Sequence, residues 1–252
     1  MESQLIYKSA YFDSEKRNYG TNNNPMFVLD TAIKGSHKIK VISSNIPFSF
    51  YYFNGNLNIN ITDLIINQYQ IPLVGNYTIN ELCTTLQNGL NTATSSTDYT
   101  VTYDDSNGRI TIVSASLKTL QILEDSNNIY KKLGFTKNQT EIGSITGTNM
   151  VKVSPQFVVL QSNELVQAVA VDSRSYYKNV SNDNTIMTIP INVNRWQYNY
   201  YNAPQALEYL TANSSDISHL SFKLLDDYGQ DIDLNGVPFT IKIGVLAPPM
   251  NQ

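Results

Sequence analysis

Cysteine is almost absent from this chain, and the single Cys83 cannot close an internal disulfide, so the fold must rest on its core and a reducing environment is expected. Histidine is nearly as scarce. His37 and His219 are the two present, which leaves no His pair at zinc spacing and no Ser-His-Asp order around a nucleophile elbow. The glycine-flanked stretch Gly143-Ser-Ile-Thr-Gly147 lacks the lysine of a phosphate-binding loop. Charge is sparse as well: charged residues make up 15% of the chain and the formal net charge is −4, which argues against a nucleic-acid binder that works by neutralising phosphates. The densest basic run, Lys34-Gly-Ser-His-Lys-Ile-Lys40, interleaves its lysines with Ile39 and leads into Val41, the pattern of a strand whose wet face is blunted by lysine. No run approaches the ~20 apolar residues of a membrane helix. The opening Met1-Glu-Ser-Gln-Leu-Ile-Tyr-Lys8 has no basic stretch followed by an apolar one, so neither a secretory signal nor a membrane span is expected.

What fills the chain instead is Asn, Thr, Ser, Gln and 17 Tyr, a polar surface built of uncharged side chains. A chain of 252 residues can hide roughly 70–75% of its extended surface on folding and needs no metal staple. Period-two patterning is strongest near the end. Leu220, Phe222 and Leu224 alternate with Ser221 and Lys223, and Val237, Phe239, Ile241, Ile243 and Val245 alternate without a break. These two segments read as strands of a closing hairpin around a connection rich in Asp and Gly. The first 25 residues read as a loop-like arm ending in Thr21-Asn-Asn-Asn-Pro25, a turn or extended-arm signal. Further strands are expected at 26–29, 37–43, 157–160, 166–171 and 185–191, and one or two helical turns over 203–210 from Pro204. Seven or eight strands is the number of a jelly roll. The expected fold class is therefore mainly β, a single jelly-roll β-sandwich made discontinuously of residues 1–53 and 150–252.

Residues 54–149 have a different texture and read as a small inserted α+β domain. Asn56-Leu-Asn-Ile-Asn-Ile61 alternates strictly, with a partner expected over 65–71. Thr78-Ile-Asn-Glu81 is a capping box, flanked by Tyr77 and Leu82 at the positions of a hydrophobic staple. Ile79, Leu82, Cys83, Leu86 and Leu90 follow as one apolar stripe, which makes Cys83 a core residue. A hairpin is expected over 99–113 around Asn107-Gly108, a third strand over 117–123, and a short helix over 126–133 that stops on Gly134.

Three constellations could carry chemistry. Asp231-Ile-Asp-Leu-Asn-Gly236 matches the opening of a calcium-binding EF-hand loop, with Asp226 and Asp227 nearby, yet the position that should supply a bidentate Glu is Lys242, inside a strand. Asp226, Asp227, Asp231 and Asp233 thus read first as turn-shaping residues and second as weak metal candidates. A glycosidase needs only two facing carboxylates, and Glu208 with Asp226 would be the pair; no catalytic set is assigned and no enzyme activity or cofactor is expected. The aromatic cluster Trp196, Tyr198, Tyr200 and Tyr201, with Tyr176 and Tyr177, suits a subunit interface and equally a sugar-stacking surface.

Several stretches together resemble a known family. They are Ser43-Ser-Asn-Ile-Pro-Phe-Ser-Phe-Tyr-Tyr-Phe-Asn54, the helix start Gly75-Asn-Tyr-Thr-Ile-Asn-Glu-Leu82, the hairpin Tyr103-Asp-Asp-Ser-Asn-Gly-Arg-Ile-Thr111, Leu133-Gly-Phe135, and Leu225-Asp-Asp-Tyr-Gly-Gln-Asp-Ile-Asp-Leu-Asn-Gly-Val237. The chain resembles the minor capsid (penton) proteins of virophages and related eukaryotic DNA viruses with adenovirus-like capsids. The resemblance implies a structural protein of the virion: a jelly roll standing upright in the shell, five copies of which close an icosahedral vertex, with the inserted domain outward. It implies a homo-oligomer, expected to be a pentamer, with the major capsid protein as neighbour and a host surface receptor as a candidate partner. Assembly in the host cytoplasm follows from the same resemblance. A surface attachment or carbohydrate-binding β protein of the virion is the alternative. The residues that mate with neighbouring capsomers are not defined by any motif, so none is carried over.

Overall fold

Alternation of apolar and polar residues decides most of the architecture. The computed structural model describes residues 6–34, 38–167, 184–203, 210–212 and 216–247. They divide into two units, Met1–Phe50 with Gln156–Gln252, and Tyr51–Pro155. Every strand pairing among the described residues is antiparallel.

The chain enters the first unit through β1 (Ile6–Asp13), a 3-10 turn (Ser14–Lys16), β2 (Tyr19–Gly20), β3 (Pro25–Lys34) and β4 (Lys38–Pro47). The second unit holds β5 (Phe53–Thr62), β6 (Ile66–Gly75), α1 (Ile79–Thr94), β7 (Tyr99–Asp104), β8 (Arg109–Ser114), β9 (Thr119–Ile122), α2 (Ile129–Lys132), β10 (Thr140–Ile142) and β11 (Ser144–Thr146). The chain then returns to the first unit with β12 (Phe157–Gln161), β13 (Leu165–Gln167), β14 (Thr185–Pro190), β15 (Tyr198–Asn202), β16 (Leu210–Ala212), β17 (Asp216–Ser221), β18 (Lys223–Leu225) and β19 (Thr240–Ala247).

In the first unit one sheet runs β1-β19-β4-β16-β13, with β15 also paired to β4; two smaller sheets run β14-β12-β18 and β17-β3-β2. Their inner faces share one core. Phe12 of β1, Val41 of β4 and Ile241 and Ile243 of β19 pack in the same cluster as Phe27 of β3, Leu160 of β12, Ile189 of β14 and Leu220 of β17. Phe12 meets Phe27 edge-on at 5.0 Å and Phe222 at 5.5 Å between ring centroids, the geometry that the ring quadrupole favours. This is the mainly β, sandwich-type class that the alternation implies.

Two local expectations are corrected here. The strands around the acidic connection do not form a hairpin: β17 pairs with β3 and β18 with β12, whereas β19 pairs with β1 on one side and β4 on the other. Both edges of β19 are occupied, so no position beside it remains for β17 or β18. The loop expected before residue 25 is in part a strand, because residues 6–13 pair in unbroken register with residues 240–247. Phe12 goes into the core and Tyr11 stays outside, which is strand alternation too short for a sequence pattern to reveal. The Thr21-Asn-Asn-Asn turn does form, closed by reciprocal Thr21 and Asn24 backbone bonds of 3.2 Å. The helical turns expected over 203–210 lie largely outside the described residues, as do His37 and most of the 166–171 strand.

The second unit follows its sequence more closely. Thr78 Oγ1 accepts from the Glu81 amide at 3.3 Å while the Glu81 carboxylate accepts from the Thr78 amide at 2.8 Å, so the capping box is complete. Leu82, Cys83, Leu86 and Leu90 are buried, and burial pushes the Cys83 thiol pKa up. The helix lies hard against β6: a Cβ on Gly89 would sit 2.4 Å from Ile71 Cγ2. The 99–113 hairpin forms as β7 and β8, but at its turn only Gly108 takes positive φ, at +71°, and Asn107 does not. The expected third strand, β9, joins β5 and β10 in a different sheet, ordered β10-β9-β5-β6. The aromatic run before residue 54 is core on both sides of the unit boundary, with Phe48 and Phe50 in the first unit and Tyr52 and Phe53 in the second, and Tyr51 exposed. One buried cation has no sequence signature: Lys132 Nζ donates to the Tyr52 carbonyl at 2.7 Å and lies 4.4 Å from the Tyr52 ring centre.

Asp98 ties the start of β7 to the β8–β9 turn. Its carboxylate accepts from Ser114 Oγ at 2.6 Å and the Ser116 amide at 2.7 Å, with Lys118 Nζ at 3.8 Å. Burial alone would raise its pKa, but the serine hydrogen bonds and the Lys118 charge outweigh burial and hold it below the ordinary carboxylate value. A depressed folded pKa stabilises above the unfolded pKa, ~3.9, and that contribution is lost as pH falls through the folded value. Asp98→Asn is therefore expected to cost about 1–2 kcal/mol at neutral pH. Chemical denaturation across a pH series should show the gap between wild type and variant shrinking as pH drops below ~4; a gap independent of pH would refute the charge-based account.

Candidate functional site

Strand β15 lies beside β4 in the register Tyr198↔Pro47, Tyr200↔Asn45 and Asn202↔Ser43. Two backbone bonds lead into it, Trp196 N to Phe48 O at 2.9 Å and Phe48 N to Gln197 O at 2.8 Å. Alternation then sorts its side chains. Trp196, Tyr198 and Tyr200 are exposed, while Asn199 is buried and donates through Nδ2 to the Pro190 carbonyl at 2.8 Å. Tyr201 is half-buried against the core and so parts company with the other aromatics predicted beside it. Tyr176 and Tyr177 lie outside the described residues. Among the described residues β15 has no strand on its far side, so a row of backbone donors and acceptors is open beside three exposed aromatic rings.

The sheet extends the same surface. The register carries Tyr200 across to Asn45, Thr240 and Asp13, and Asn202 across to Ser43, Lys242 and Tyr11, one strand step of about 4.8 Å at a time. Tyr11, on the opposite edge of this span, is exposed too. The surface therefore has tyrosines toward both margins and mostly neutral hydroxyl and amide groups between them. Trp196 itself sits at φ +67°, a region where glycine and asparagine are at home and a bulky side chain is an outlier. No sequence signal marks that conformation; only the aromatic cluster pointed here.

The acidic connection is sorted differently. Asp226 Oδ1 accepts from the Tyr228 amide at 2.9 Å and the Gln230 amide at 2.8 Å, which closes a turn in which Gly229 takes φ +77°. Asp226 and Asp227 are buried. Asp231 and Asp233 instead share a cleft of about 320 Å³ with Thr21, Asn23, Asn24 and Lys223. Lys223 Nζ stands 2.7 Å from Asp231, and Asp233 Oδ1 accepts from Asn23 Nδ2 and the Asn235 amide, both at 2.9 Å. The four candidate acids are thus split into two pairs. Among the described residues no three His, Cys, Asp or Glu side chains are grouped to hold a metal ion. Asn22 Nδ2 to Gly236 O at 2.8 Å, Asn23 Oδ1 from the Leu234 amide at 3.0 Å, and Ser49 Oγ to Leu234 O at 2.7 Å clamp the same loop. The asparagine run, read from sequence only as a turn, is also this clamp.

Glu164 gathers the remaining polar cluster. Its carboxylate accepts from the Ser221 amide at 2.7 Å and from Ser221 Oγ at 2.8 Å, with His219 Nε2 3.5 Å away. Ser221 is buried and bonds the acid rather than the imidazole, whereas a hydrolase nucleophile must bond its base and face substrate. Glu208, the other half of the carboxylate pair considered with Asp226, lies outside the described residues. No helix among the described residues is long and apolar enough to cross a membrane.

No protein-family model matches the chain, and no curated protein matches its sequence. Among solved structures, that of the selenomethionine-labelled mavirus penton protein aligns over 96% of this chain and 99% of that chain, with a TM-score of 0.48 and 11% identity. Likeness at that level decides neither fold nor function.

With Lys223 already neutralising Asp231 and amides already filling Asp233, calcium has little to gain in the cleft. Millimolar calcium or a chelator is expected to leave the melting temperature unchanged in calorimetry. A rise of several degrees with calcium would mean that Asp231 and Asp233 bind it in spite of Lys223.

Proposed function

We propose that this chain is a structural virion protein, a minor capsid or penton subunit whose copies form pentamers that close the five-fold vertices of an icosahedral shell. The observation that carries the reading is the exposed Tyr198 and Tyr200 on β15, with the exposed Trp196 in the turn just before it, on a strand whose far edge has no partner among the described residues. Tyr and Trp are enriched, and charges depleted, at the centres of protein interfaces. A solvent-exposed strand edge is also a liability unless a partner covers it. The sequence resemblance to virophage penton proteins, spread from residue 43 to residue 237, supports the same assignment.

The mechanism is geometric. A repeated heterologous contact closes a ring when its rotation divides a full turn, and a permanent contact of this kind buries roughly 2,000 Å² or more. The ring would meet the major capsid protein at its rim and assemble in the host cytoplasm. The reading gives the chain no cofactor and no catalytic step. A second reading keeps the same surface and changes its partner: exposed rings beside Asn45, Asn202 and Ser43 also suit a neutral sugar on a host receptor.

Native mass measurement tests both. The wild type is expected to form a closed pentamer, and Tyr198→Asp with Tyr200→Asp is expected to weaken it about 30-fold or more, the scale of an interface hot spot. The variant monomer should melt as the wild type does, since neither ring belongs to the core. A wild type that stays monomeric at all concentrations would end the capsid reading, and glycan binding abolished by Trp196→Ala would favour the second.

A further inference from the structure

The second unit carries an apolar surface that its fold does not need. Leu64, Ile65, Ile66, Leu117 and Ile142 are exposed by 69–96%. Strand register brings them together. Ile66 pairs with Thr62, Thr62 with Thr119, and Thr119 with Ile142, so the two isoleucines end one row of the β10-β9-β5-β6 sheet, three strand steps or about 14 Å apart. Leu64 and Ile65 precede Ile66 in the β5–β6 turn, and Leu117, in the turn before β9, has its Cδ2 beside Gly143, the chain neighbour of Ile142. By parity Ile66 and Ile142 share the outer sheet face, because the buried Ile59, Ile61, Ile71 and Leu120 take the other one.

Both turns at this end depart from the usual turn chemistry, one in composition and the other in conformation. The β5–β6 turn is Asp63-Leu64-Ile65, where Gly, Asn, Asp or Ser would be ordinary. Leu117 holds φ +58°, a conformation leucine disfavours, and its Cδ2 lies 2.9 Å from where a Cβ on Gly143 would be. Neither leucine fills the core. Such exceptions mark positions kept for contact rather than for folding.

We propose that this aliphatic end of the second unit is a contact between copies of the chain, packing against its own counterpart about a shared rotation axis. The inference rests on the reading that the chain assembles with itself. Where copies of a ring converge on its axis, one flank of the patch meets the opposite flank of the same patch on the next copy, so the contact stays heterologous although its residues are shared. The five side chains expose on the order of 600 Å², the top of what ordinary monomers show. With the intervening Thr62 and Thr119 they approach the roughly 800 Å² that each partner gives to a specific interface. The composition fits a permanent protein contact, an aliphatic centre resembling a core cut in half, with Asp63 and Glu141 exposed beside it. Those acids repel lipid phosphates and the one lysine in the adjoining turn, Lys118, is paired with Asp98, so a bilayer is the less suitable occupant.

The test uses the full chain, with Leu64→Asp combined with Ile65→Asp, and Ile142→Ser as a gentler second variant, in sedimentation velocity over a concentration series. Both variants are expected to melt within a few degrees of wild type, and association is expected to weaken at least tenfold in the first and severalfold in the second. Unchanged association in both folded variants overturns the inference, and leaves the capsid reading intact if the Tyr198 and Tyr200 variant still dissolves the assembly. A wild type that never associates overturns both. Flotation of the wild type, but not of the variants, with phosphatidylcholine vesicles would assign the patch to a bilayer and also overturn the inference.

Discussion

The first unit depends on β19 finding β1 and β4. Eight residues from the start of the chain pair with eight from its end, and the inner side of that end strand pairs with β4. Three strands drawn from residues 6–13, 38–47 and 240–247 thus form the continuous part of a sheet whose inward side chains, Phe12, Val41, Ile241 and Ile243, carry much of the common core. Everything between Phe50 and Gln156 is an excursion from this closure. Loop-closure entropy grows only logarithmically with length, so once the two segments of the first unit are joined by their own ladders, a second unit with its own core adds little to the cost of joining them.

That dependence explains which parts of the fold were legible. The capping box at Thr78, the stripe from Leu82 to Leu90 and the 99–113 hairpin could be read because each is settled by residues a few positions apart. Partner choice among the strands could not. Alternation in Phe239, Ile241 and Ile243 announces a strand with one dry face, yet the same pattern is equally satisfied beside β18 or beside β1, and the choice is made by residues more than two hundred positions away. The asparagines at 22 and 23 are a second case: a turn signal tells that the chain bends, and nothing in it foretells that their side chains will hold residues 234 and 236.

The candidate surfaces were legible to different degrees for the same reason. Tyr198 and Tyr200 stand at alternate positions in one strand and Trp196 in the turn just before it, so a cluster in sequence became a cluster in space, and the turning inward of Tyr201 and the conformation of Trp196 needed the structure. The aliphatic end of the second unit draws on β5–β6, the turn before β9, and β10, so no local pattern could collect it. Lys132 shows the converse failure. No residue near it in sequence marks it for burial, and it is the backbone carbonyl and ring of Tyr52, far back in the chain, that make its burial tolerable.

Backbone conformation links the two surfaces. Six non-glycine residues among those described take positive φ: Ser95, Leu117, Asn128, Asn138, Trp196 and Asn235. Asparagine tolerates that region because its short amide finds local partners, and Ser95 ends α1, where a left-handed residue is the usual stop. Leu117 and Trp196 have neither excuse. For a bulky side chain the conformation costs of order 1–3 kcal/mol, and with both side chains mostly exposed folding recovers little of it, Leu117 through its contact at Gly143. A cost unrecovered in the isolated chain is one that burial elsewhere must offset. One strained residue lies in each unit, Trp196 in the turn before β15 and Leu117 in the turn before β9, and contact with another molecule is what would give both conformations a physical reason.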